Sequence, residues 1–266
     1  MFSKIPFYLS VLKYGLKCKI AYRMGAFLST VGVLIQFLGR IMVWVALLAS
    51  GVAFDTTLQE MITFMIISMM LSEIVSSSAG YTITRRIRDG SIAIDFVRPI
   101  NLKSYLFFND IGNNLFLALV VYLPVYFVIS LGFGFLPPAS LMHFFAFVIT
   151  ACLGLIIQFY YSYILGLASF WLINNPFNKW HFRNVETLFA GLFMPIWMYP
   201  GWLASVTVFL PFRYFTYEPI TFYLGRVSVD SFWHVFLIQM MWLCILYVAE
   251  RLIWSRACRK VIVQGG

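Results

Sequence analysis

The chain has 266 residues, of which 62% are hydrophobic, 19% are aromatic and only 11% are charged, and its formal net charge is +9. Soluble globular domains carry about 25% charged residues, so this composition excludes an ordinary soluble protein. It also leaves no basic soluble surface that would bind nucleic acid. We therefore predict an all-α polytopic membrane protein that contacts lipid along most of its length.

Residues 1–24 combine lysines with apolar side chains. This pattern predicts an amphipathic helix on the cytoplasmic surface of the membrane, with its apolar side chains toward the acyl chains and its lysines toward the lipid headgroups. A poorly ordered basic tail is the alternative. The segment lacks the unbroken apolar region and the cleavage site of a secretory signal.

Apolar runs long enough to cross a bilayer, about 20 residues each, recur along the chain and predict a transmembrane domain of six helices at residues 25–253. The six spans are predicted at residues 25–53, 58–79, 104–131, 141–173, 186–210 and 232–253. Short turn-forming links at residues 55–57 and 132–138 join the first two pairs of spans into tight hairpins.

Most of the 19 basic residues precede the first span, follow the sixth, or lie between spans 2 and 3 and spans 4 and 5. Because basic loops resist translocation, these segments are predicted to be cytoplasmic. Both termini, including a basic tail at residues 254–266, are then on the cytoplasmic side.

The fifth span is interrupted by Pro195, Pro200 and Gly201. A helix interior does not tolerate proline at this density, so we expect the span to end near Pro200. Residues 201–224 would then form short helices that re-enter the outer leaflet, where protein must cover their backbone. A single kinked helix is the alternative.

The connection between spans 2 and 3 contains the sequence RRIRDGSIAIDFVRP at residues 85–99. Its apolar residues recur at helix-like separations, Gly90 offers a break between two helical turns, and Pro99 ends the run. We expect an amphipathic element on the inner surface, suited to docking against another protein. Ile83, Ile87, Ile94 and Val97 would face the bundle, and Arg85, Arg86, Arg88, Asp89 and Asp95 would face the cytosol.

Residues 87–100, IRDGSIAIDFVRPI, resemble the isoleucine, glycine, apolar-pair and Arg-Pro pattern of permease subunits of ATP-binding cassette (ABC) type-2 transporters. The resemblance is to the six-span branch whose chains have about this length. A second resemblance, to the proline-rich fifth span and return segment of that family, involves Gly191, Pro195, Pro200, Leu210, Pro211, Phe212, Pro219 and Gly225.

The resemblance implies that residues 83–98 form a coupling helix seated in a cleft of a cytosolic ABC ATPase. The expected contact residues are Arg85, Arg86, Ile87, Arg88, Asp89, Gly90, Ile94, Asp95, Arg98 and Pro99. No G-x-x-x-x-G-K-[ST] phosphate loop occurs in the chain, so the ATPase dimer, with its ATP and Mg²⁺, is expected to be a separate polypeptide. The resemblance also implies a second permease, identical or related, and the inner membrane of a bacterial cell.

Charged residues at bilayer depth are costly and are functional candidates. Arg40 and Glu73 lie at similar distances on either side of the first hairpin turn, which puts them within roughly 3 Å in depth at 1.5 Å per residue. We predict an ion pair between them, which either locks the hairpin structurally or serves as a gating or substrate contact. Asp110 is expected to be hydrated at the inner end of the third span.

In the family that the chain resembles, the translocation route runs along the permease–permease interface. Soft apolar residues of the second and fifth spans could line it and would suit an amphipathic, lipid-like or peptide substrate. The candidates are Phe64, Met65, Ser68, Met69, Phe189, Phe193, Met194 and Trp197. Ordinary helix packing is the alternative for these residues.

The sequence therefore predicts the permease subunit of an ABC exporter, with no catalytic residue, metal site or cofactor of its own. Its three histidines and four cysteines are scattered without metal-ligand or catalytic spacing. A membrane enzyme would need such a cluster. An ion-coupled secondary transporter or channel is the alternative function, for which broken helices in both halves of the chain would be expected.

Overall fold

The structure, a computed structural model, describes residues 7–8, 10–13, 23–49, 56–97, 101–172 and 179–257. Within these ranges the chain is all-helical and contains no β-strand. In the predicted N-terminal helix, residues 7–8 and 10–13 are helical, and Tyr8 stacks on Phe108 with 5.2 Å between the ring centroids. Residues 23 and 24 of the predicted segment belong to the next helix, Arg23–Ala49. The rest of the predicted N-terminal helix and the tail after residue 257 lie outside the described residues.

The helices follow one another with short connections. They are α1 (Arg23–Ala49), α2 (Leu58–Val75), α3 (Ala79–Arg88), α4 (Ile92–Val97), α5 (Leu102–Leu117), α6 (Leu123–Phe133), α7 (Leu141–Ala168), α8 (Lys179–Phe189), α9 (Gly201–Val208), α10 (Tyr217–Tyr223) and α11 (Phe232–Ala257). A π-helical turn, Ala118–Tyr122, joins α5 to α6.

Five described stretches are long and apolar enough to cross a membrane, and they correspond to the predicted first, second, third, fourth and sixth spans. They are Phe27–Leu47, Leu58–Arg88, Leu102–Phe133, Leu141–Ala168 and Val229–Ala257. The chain is thus a multi-pass membrane protein. Since lipid is as apolar as these side chains, the outward surfaces of the helices need no further protein cover.

Two of the five stretches are interrupted helices. The second stretch breaks at residues 76–78 between α2 and α3, and the third contains the π-helical turn just before α6. Pro124 lies at the start of α6. Because proline has no N–H to donate and its ring crowds the preceding turn, a wider π turn lets the helix continue past it.

The fifth predicted span, residues 186–210, is not a continuous helix, so the helix end expected near Pro200 is wrong. The helix α8 ends at Phe189 because Gly191 adopts the left-handed conformation (φ +66°). The Leu192 N–H donates to the Thr187 carbonyl at 3.0 Å, and the Gly191 N–H donates to the Leu188 carbonyl at 3.2 Å. These two bonds form a Schellman motif, which satisfies the last carbonyls of a helix.

The segment that follows α8 consists of short helices packed on the bundle. Every residue of α10 is buried, and the same glycine motif ends that helix at Gly225 (φ +70°). The Tyr223 hydroxyl donates to the Leu136 carbonyl at 3.1 Å, and the Ala139 N–H donates to the Tyr223 carbonyl at 3.1 Å. The return segment is therefore tied to the link between α6 and α7.

Helix α7 lies at the centre of the fold and packs against α2, α3, α10 and α11. Its contact with α3 is made at two glycines. A Cβ atom on Gly166 would lie 2.7 Å from the Gly80 Cα and 2.9 Å from the Gly80 carbonyl oxygen. Small residues permit this close approach of helix backbones in membranes, so α3 is held tightly against the central helix.

We predict that Gly166→Ala lowers the free energy of unfolding by about 1–3 kcal/mol, because the added methyl group overpacks a contact between two backbones. Thermal unfolding of the detergent-purified chain measures the effect. Gly39→Ala is the matched control, since a Cβ atom on Gly39 meets nothing within 4 Å. Equal midpoints for the two variants would refute the close contact.

Candidate functional site

The predicted coupling segment consists of two short helices joined by a tight turn. Asp89 ends α3, and Gly90 reverses the chain with φ +73°. The Ser91 N–H and hydroxyl donate to the Asp89 carboxylate at 3.0 and 2.6 Å. The bond from the Ser91 hydroxyl is the main cause that lowers the pKa of the Asp89 carboxyl below its ordinary value, so this turn keeps its anionic cap at neutral pH.

The orientation predicted for α4 is wrong. Asp95, expected to face the cytosol, is 9% exposed and accepts a bond of 2.5 Å from the Arg86 guanidinium. Ile94 and Val97, expected to face the bundle, are 56% and 85% exposed. Ile92 is buried instead. It lies three positions before Asp95, and residues three apart share one face of a helix.

The structure thus leaves an outward apolar pair, Ile94 and Val97, which we call the α4 surface. Arg85 and Arg88 are also exposed in this element. Ile87 is partly buried against the core cluster that contains Ile83. The remaining predicted contact residues, Arg98 and Pro99, lie outside the described residues.

Helix α3 is attached to α7 by polar contacts beside the glycine contact. The hydroxyls of Thr84 and Ser169 share a hydrogen bond of 2.7 Å. The Gly80 N–H donates to the Ser162 hydroxyl at 3.1 Å. Because of these bonds and the Arg86–Asp95 pair, α3, α4 and the central helix are linked as one unit.

The break between α2 and α3 at residues 76–78 is held by α5. The Asp110 carboxylate accepts bonds from the Ser77 hydroxyl at 2.8 Å, the Ser78 hydroxyl at 2.5 Å and the Ser78 N–H at 3.1 Å. The Asn114 side-chain amide donates to the Ser76 carbonyl at 2.5 Å. Asp110 is 5% exposed, so the expectation that it is hydrated is wrong.

Arg40 and Glu73 both lie near Tyr126. The Tyr122 hydroxyl donates to the Glu73 carboxylate at 3.2 Å, and both Arg40 and Glu73 interact electrostatically with the Tyr126 hydroxyl. Their direct ion pair stays a prediction. Tyr122 belongs to the π turn, so the π turn of the third stretch contacts Glu73 in the second stretch.

A cavity of about 440 Å³ lies between α1, α2, the π turn, α7 and the C-terminal end of α8. Two of the predicted path residues, Ser68 and Met69, line it. Arg40 lines it as well. The cavity therefore borders both the predicted substrate path and the predicted ion pair.

The other path candidates lie elsewhere. Phe64 and Met65 are buried in the core, and Phe64 meets the Trp197 ring edge-on at 5.1 Å. Phe189, Met194 and Trp197 are partly buried against the core clusters, whereas Phe193 is exposed. The eight candidates for the substrate path thus do not lie on one common surface, and a role in transport stays a prediction for all of them.

Sequence reasoning missed two polar residues of the cavity, Gln158 on α7 and Glu186 on α8. The Gln158 amide nitrogen donates to the Glu186 carboxylate at 3.1 Å. A signal for Gln158 exists, since it is the one amide side chain in the predicted fourth span. Glu186 begins the predicted fifth span and was not distinguished from an interfacial residue.

Ion pairs at the other end of the bundle were also missed. Arg226, after α10, makes a two-pronged contact with Glu60 at the start of α2, with 3.1 Å between Nη2 and Oε2. The Arg226 guanidinium carbon lies 4.1 Å from the centre of the Trp197 ring. Arg213 pairs with Glu218 at 2.5 Å. The Arg226–Glu60 contact joins the return segment to α2, whereas the Arg213–Glu218 pair lies within the return segment.

Among the described residues there is no group of three or more His, Cys, Asp or Glu side chains that could hold a metal ion.

The sequence profile of the ABC-2 family transporter proteins matches residues 34–265. The match spans all five candidate membrane stretches except the first residues of α1. This chain belongs to the ABC-2 transporter family, as the resemblance of residues 87–100 indicates. No curated protein matches the chain in sequence.

We predict that Asp110→Asn lowers the free energy of unfolding by about 1–3 kcal/mol. An amide offers one acceptor oxygen in place of two and sets a donor against the serine hydroxyls at residues 77 and 78. Thermal unfolding measures the loss. Asp230→Asn removes the charge of an exposed carboxylate and should leave the midpoint unchanged; an equal drop in both variants would contradict the predicted role of Asp110.

We predict that Arg40→Met and Glu73→Gln each destabilise the chain more than the combined substitution does, with a coupling of about 1 kcal/mol or more. The reason is that removing one partner leaves a partly buried charge at bilayer depth without its counterion. A double-mutant cycle on thermal stability measures the coupling. Additive losses would count against the ion pair.

Proposed function

We propose that the chain is the permease subunit of an ATP-driven exporter, and that the α4 surface docks on a cytosolic ABC ATPase. The observation that carries this proposal is the exposure of Ile94 and Val97, at 56% and 85%, in an element that is otherwise tied to the bundle. Apolar side chains presented on a fixed helix are suited to a pocket in a partner. The family membership supports the same role.

In this proposal ATP and Mg²⁺ are bound by the partner, because the sequence has no phosphate loop. The ATPase acts as a dimer beneath two permeases, and the second permease is an identical or a related chain. The complex lies in the inner membrane of a bacterial cell with both permease termini in the cytoplasm. The route between the two permeases carries an amphipathic, lipid-like or peptide substrate outward.

Closure of the ATPase dimer would move the α4 surface, and the contacts of α3 would transmit that motion. The Arg86–Asp95 pair links α4 to α3, and the Gly80–Gly166 contact links α3 to α7. The break at residues 76–78 lets α2 take a different tilt from α3. A rigid lever joined to the bundle at a defined break supports a two-state rocking motion.

The proposed topology has six spans. Helix α8 has 11 residues, about 16 Å at 1.5 Å per residue, so the fifth crossing is completed by residues 190–208. The buried helix α10 is then the re-entrant segment at the outer face, where its backbone is covered by protein. Family membership does not favour the alternative of an ion-coupled carrier or channel.

We predict that the double substitution Ile94→Asp and Val97→Asp reduces recovery of the co-purifying ATPase by about tenfold or more, as expected when central apolar contacts are lost from an interface. The permease is purified from its native membrane, its partner chains are identified by mass spectrometry, and ATP hydrolysis is measured. The chain itself should fold, because neither side chain is buried.

Ser228→Asp is the control, since it adds a carboxylate at an exposed residue near the other end of the bundle. It should leave recovery and hydrolysis unchanged. Full recovery of the ATPase with the double variant, or purification of an active transporter that has no nucleotide-binding subunit, would refute the proposal.

A further inference from the structure

The cavity between α1, α2, α7 and α8 contains an unusual set of polar groups for a site inside an apolar bundle. Its polar lining includes Arg40, Ser68, Ser72, Ser76, Gln158 and Glu186. Its volume, about 440 Å³, is within the range of small-ligand sites. Polar groups at such a depth are costly unless they bind something.

The serine hydroxyls of this cavity can accept hydrogen bonds but have already used their protons. Ser68, Ser72 and Ser76 donate to backbone carbonyls within α2 at 3.0, 2.9 and 2.9 Å. A hydroxyl has one proton and two acceptor lone pairs. Ser72 and Ser76 are partly exposed, so their oxygens are available to the cavity as acceptors, whereas Ser68 is fully buried.

Gln158 adds a further acceptor. Its side-chain nitrogen donates to the Glu186 carboxylate at 3.1 Å, while its Oε1 atom is buried and has no hydrogen-bond partner among the described residues. Gln158 is 6% exposed. A buried polar atom of this kind normally has a partner in a native structure, so the cavity lacks a donor at this point.

The charges of the lining come from two different helices. Glu186 lies on α8 beside Gln158, and Arg40 lies on α1. A ligand that satisfies the acceptors must supply N–H or O–H donors, which a cation does best beside a carboxylate. A ligand that also meets Arg40 favourably carries an anionic group.

We propose that this cavity binds the polar end of an amphipathic molecule that has a primary ammonium next to a phosphate or carboxylate. The ammonium would donate to Gln158 Oε1, Glu186 and the serine oxygens, and the anionic group would face Arg40. This inference rests on the proposed function, since it names the chemistry of the transported or regulatory ligand. The donor requirement distinguishes a primary ammonium from a quaternary one, which has no N–H group.

The test uses the full-length chain in nanodiscs of phosphatidylglycerol, without its ATPase, and measures binding by microscale thermophoresis. The probes are dihexanoyl-phosphatidylethanolamine, dihexanoyl-phosphatidylcholine and the chain-free headgroup glycerophosphoethanolamine. We expect the ethanolamine lipid to bind about tenfold or more tightly than the choline lipid, since charge-assisted hydrogen bonds are lost with the N–H groups. Binding of the headgroup alone would indicate a soluble ligand, and binding only of the acylated form would indicate a lipid; both support the ammonium site.

Gln158→Met keeps the side-chain size and should remove the preference for ethanolamine, because it removes the Oε1 acceptor. It also removes the hydrogen bond to Glu186, so thermal unfolding of this variant checks that the chain remains folded. Gln59→Met is the matched control at an exposed glutamine of α2 and should bind like the unchanged chain. Ser72→Ala is a second variant, which should weaken ethanolamine binding and leave choline binding unchanged.

Equal affinity for the ethanolamine and choline lipids, or a preference that persists in Gln158→Met, would overturn the inference. The assay contains no ATPase, so its result is independent of the coupling test on the α4 surface. A complex that hydrolyses ATP but shows no ammonium preference would remove this inference alone. A preference in a chain that recovers no ATPase would remove the proposed function alone.

Discussion

The orientation of α3 and α4 depends on hydrogen bonds to the backbone N–H and C=O groups at residues 76–78. A helix that breaks inside an apolar bundle exposes N–H and C=O groups that have no water to bind. Asp110 and Asn114 supply the missing partners from α5. Because unsatisfied polar groups in this environment cost several kcal/mol each, the break is stable only while α5 keeps its place beside α2.

The same break divides the second stretch into two parts with different neighbours. Above it, α2 packs with α1 and the π turn, and its serines line the cavity. Below it, α3 packs on α7 through glycine. The central helix α7 also carries Gln158 and contacts α10. One helix thus contacts the α3–α4 element, the cavity and the return segment, which makes it the physical connection among all three.

Much of the fold could be predicted from the sequence, because long apolar runs determine the number and order of membrane stretches almost directly. The predictions that were wrong concern local structure, namely one helix end and the orientation of one short helix. The prolines of the fifth span predict a helix end near Pro200, yet the helix ends before Gly191 by a hydrogen-bond motif that needs only one left-handed residue. The α4 orientation failed because a helix that restarts after Gly90 need not continue the face of the helix before it.

The candidate site was harder to predict, because its residues meet through contacts between distant helices. Asp110 looked like a hydrated helix start, since its partners Ser77 and Ser78 are more than thirty positions away in sequence. No sequence pattern relates Gln158 to Glu186, because they lie on different helices and meet only in the folded chain. Arg40 and Glu73 could be related only because they flank one hairpin, which is the simplest geometry for estimating depth.

The exposure of Ile94 and Val97 has a consequence for the life of the protein in the cell. If this surface faces the cytosol, as proposed, a newly inserted copy without its ATPase exposes an apolar surface to chaperones, proteases and other copies that lack a partner. Balanced synthesis of both gene products would then matter as much as the strength of their contact, and surplus permease would be the species removed first.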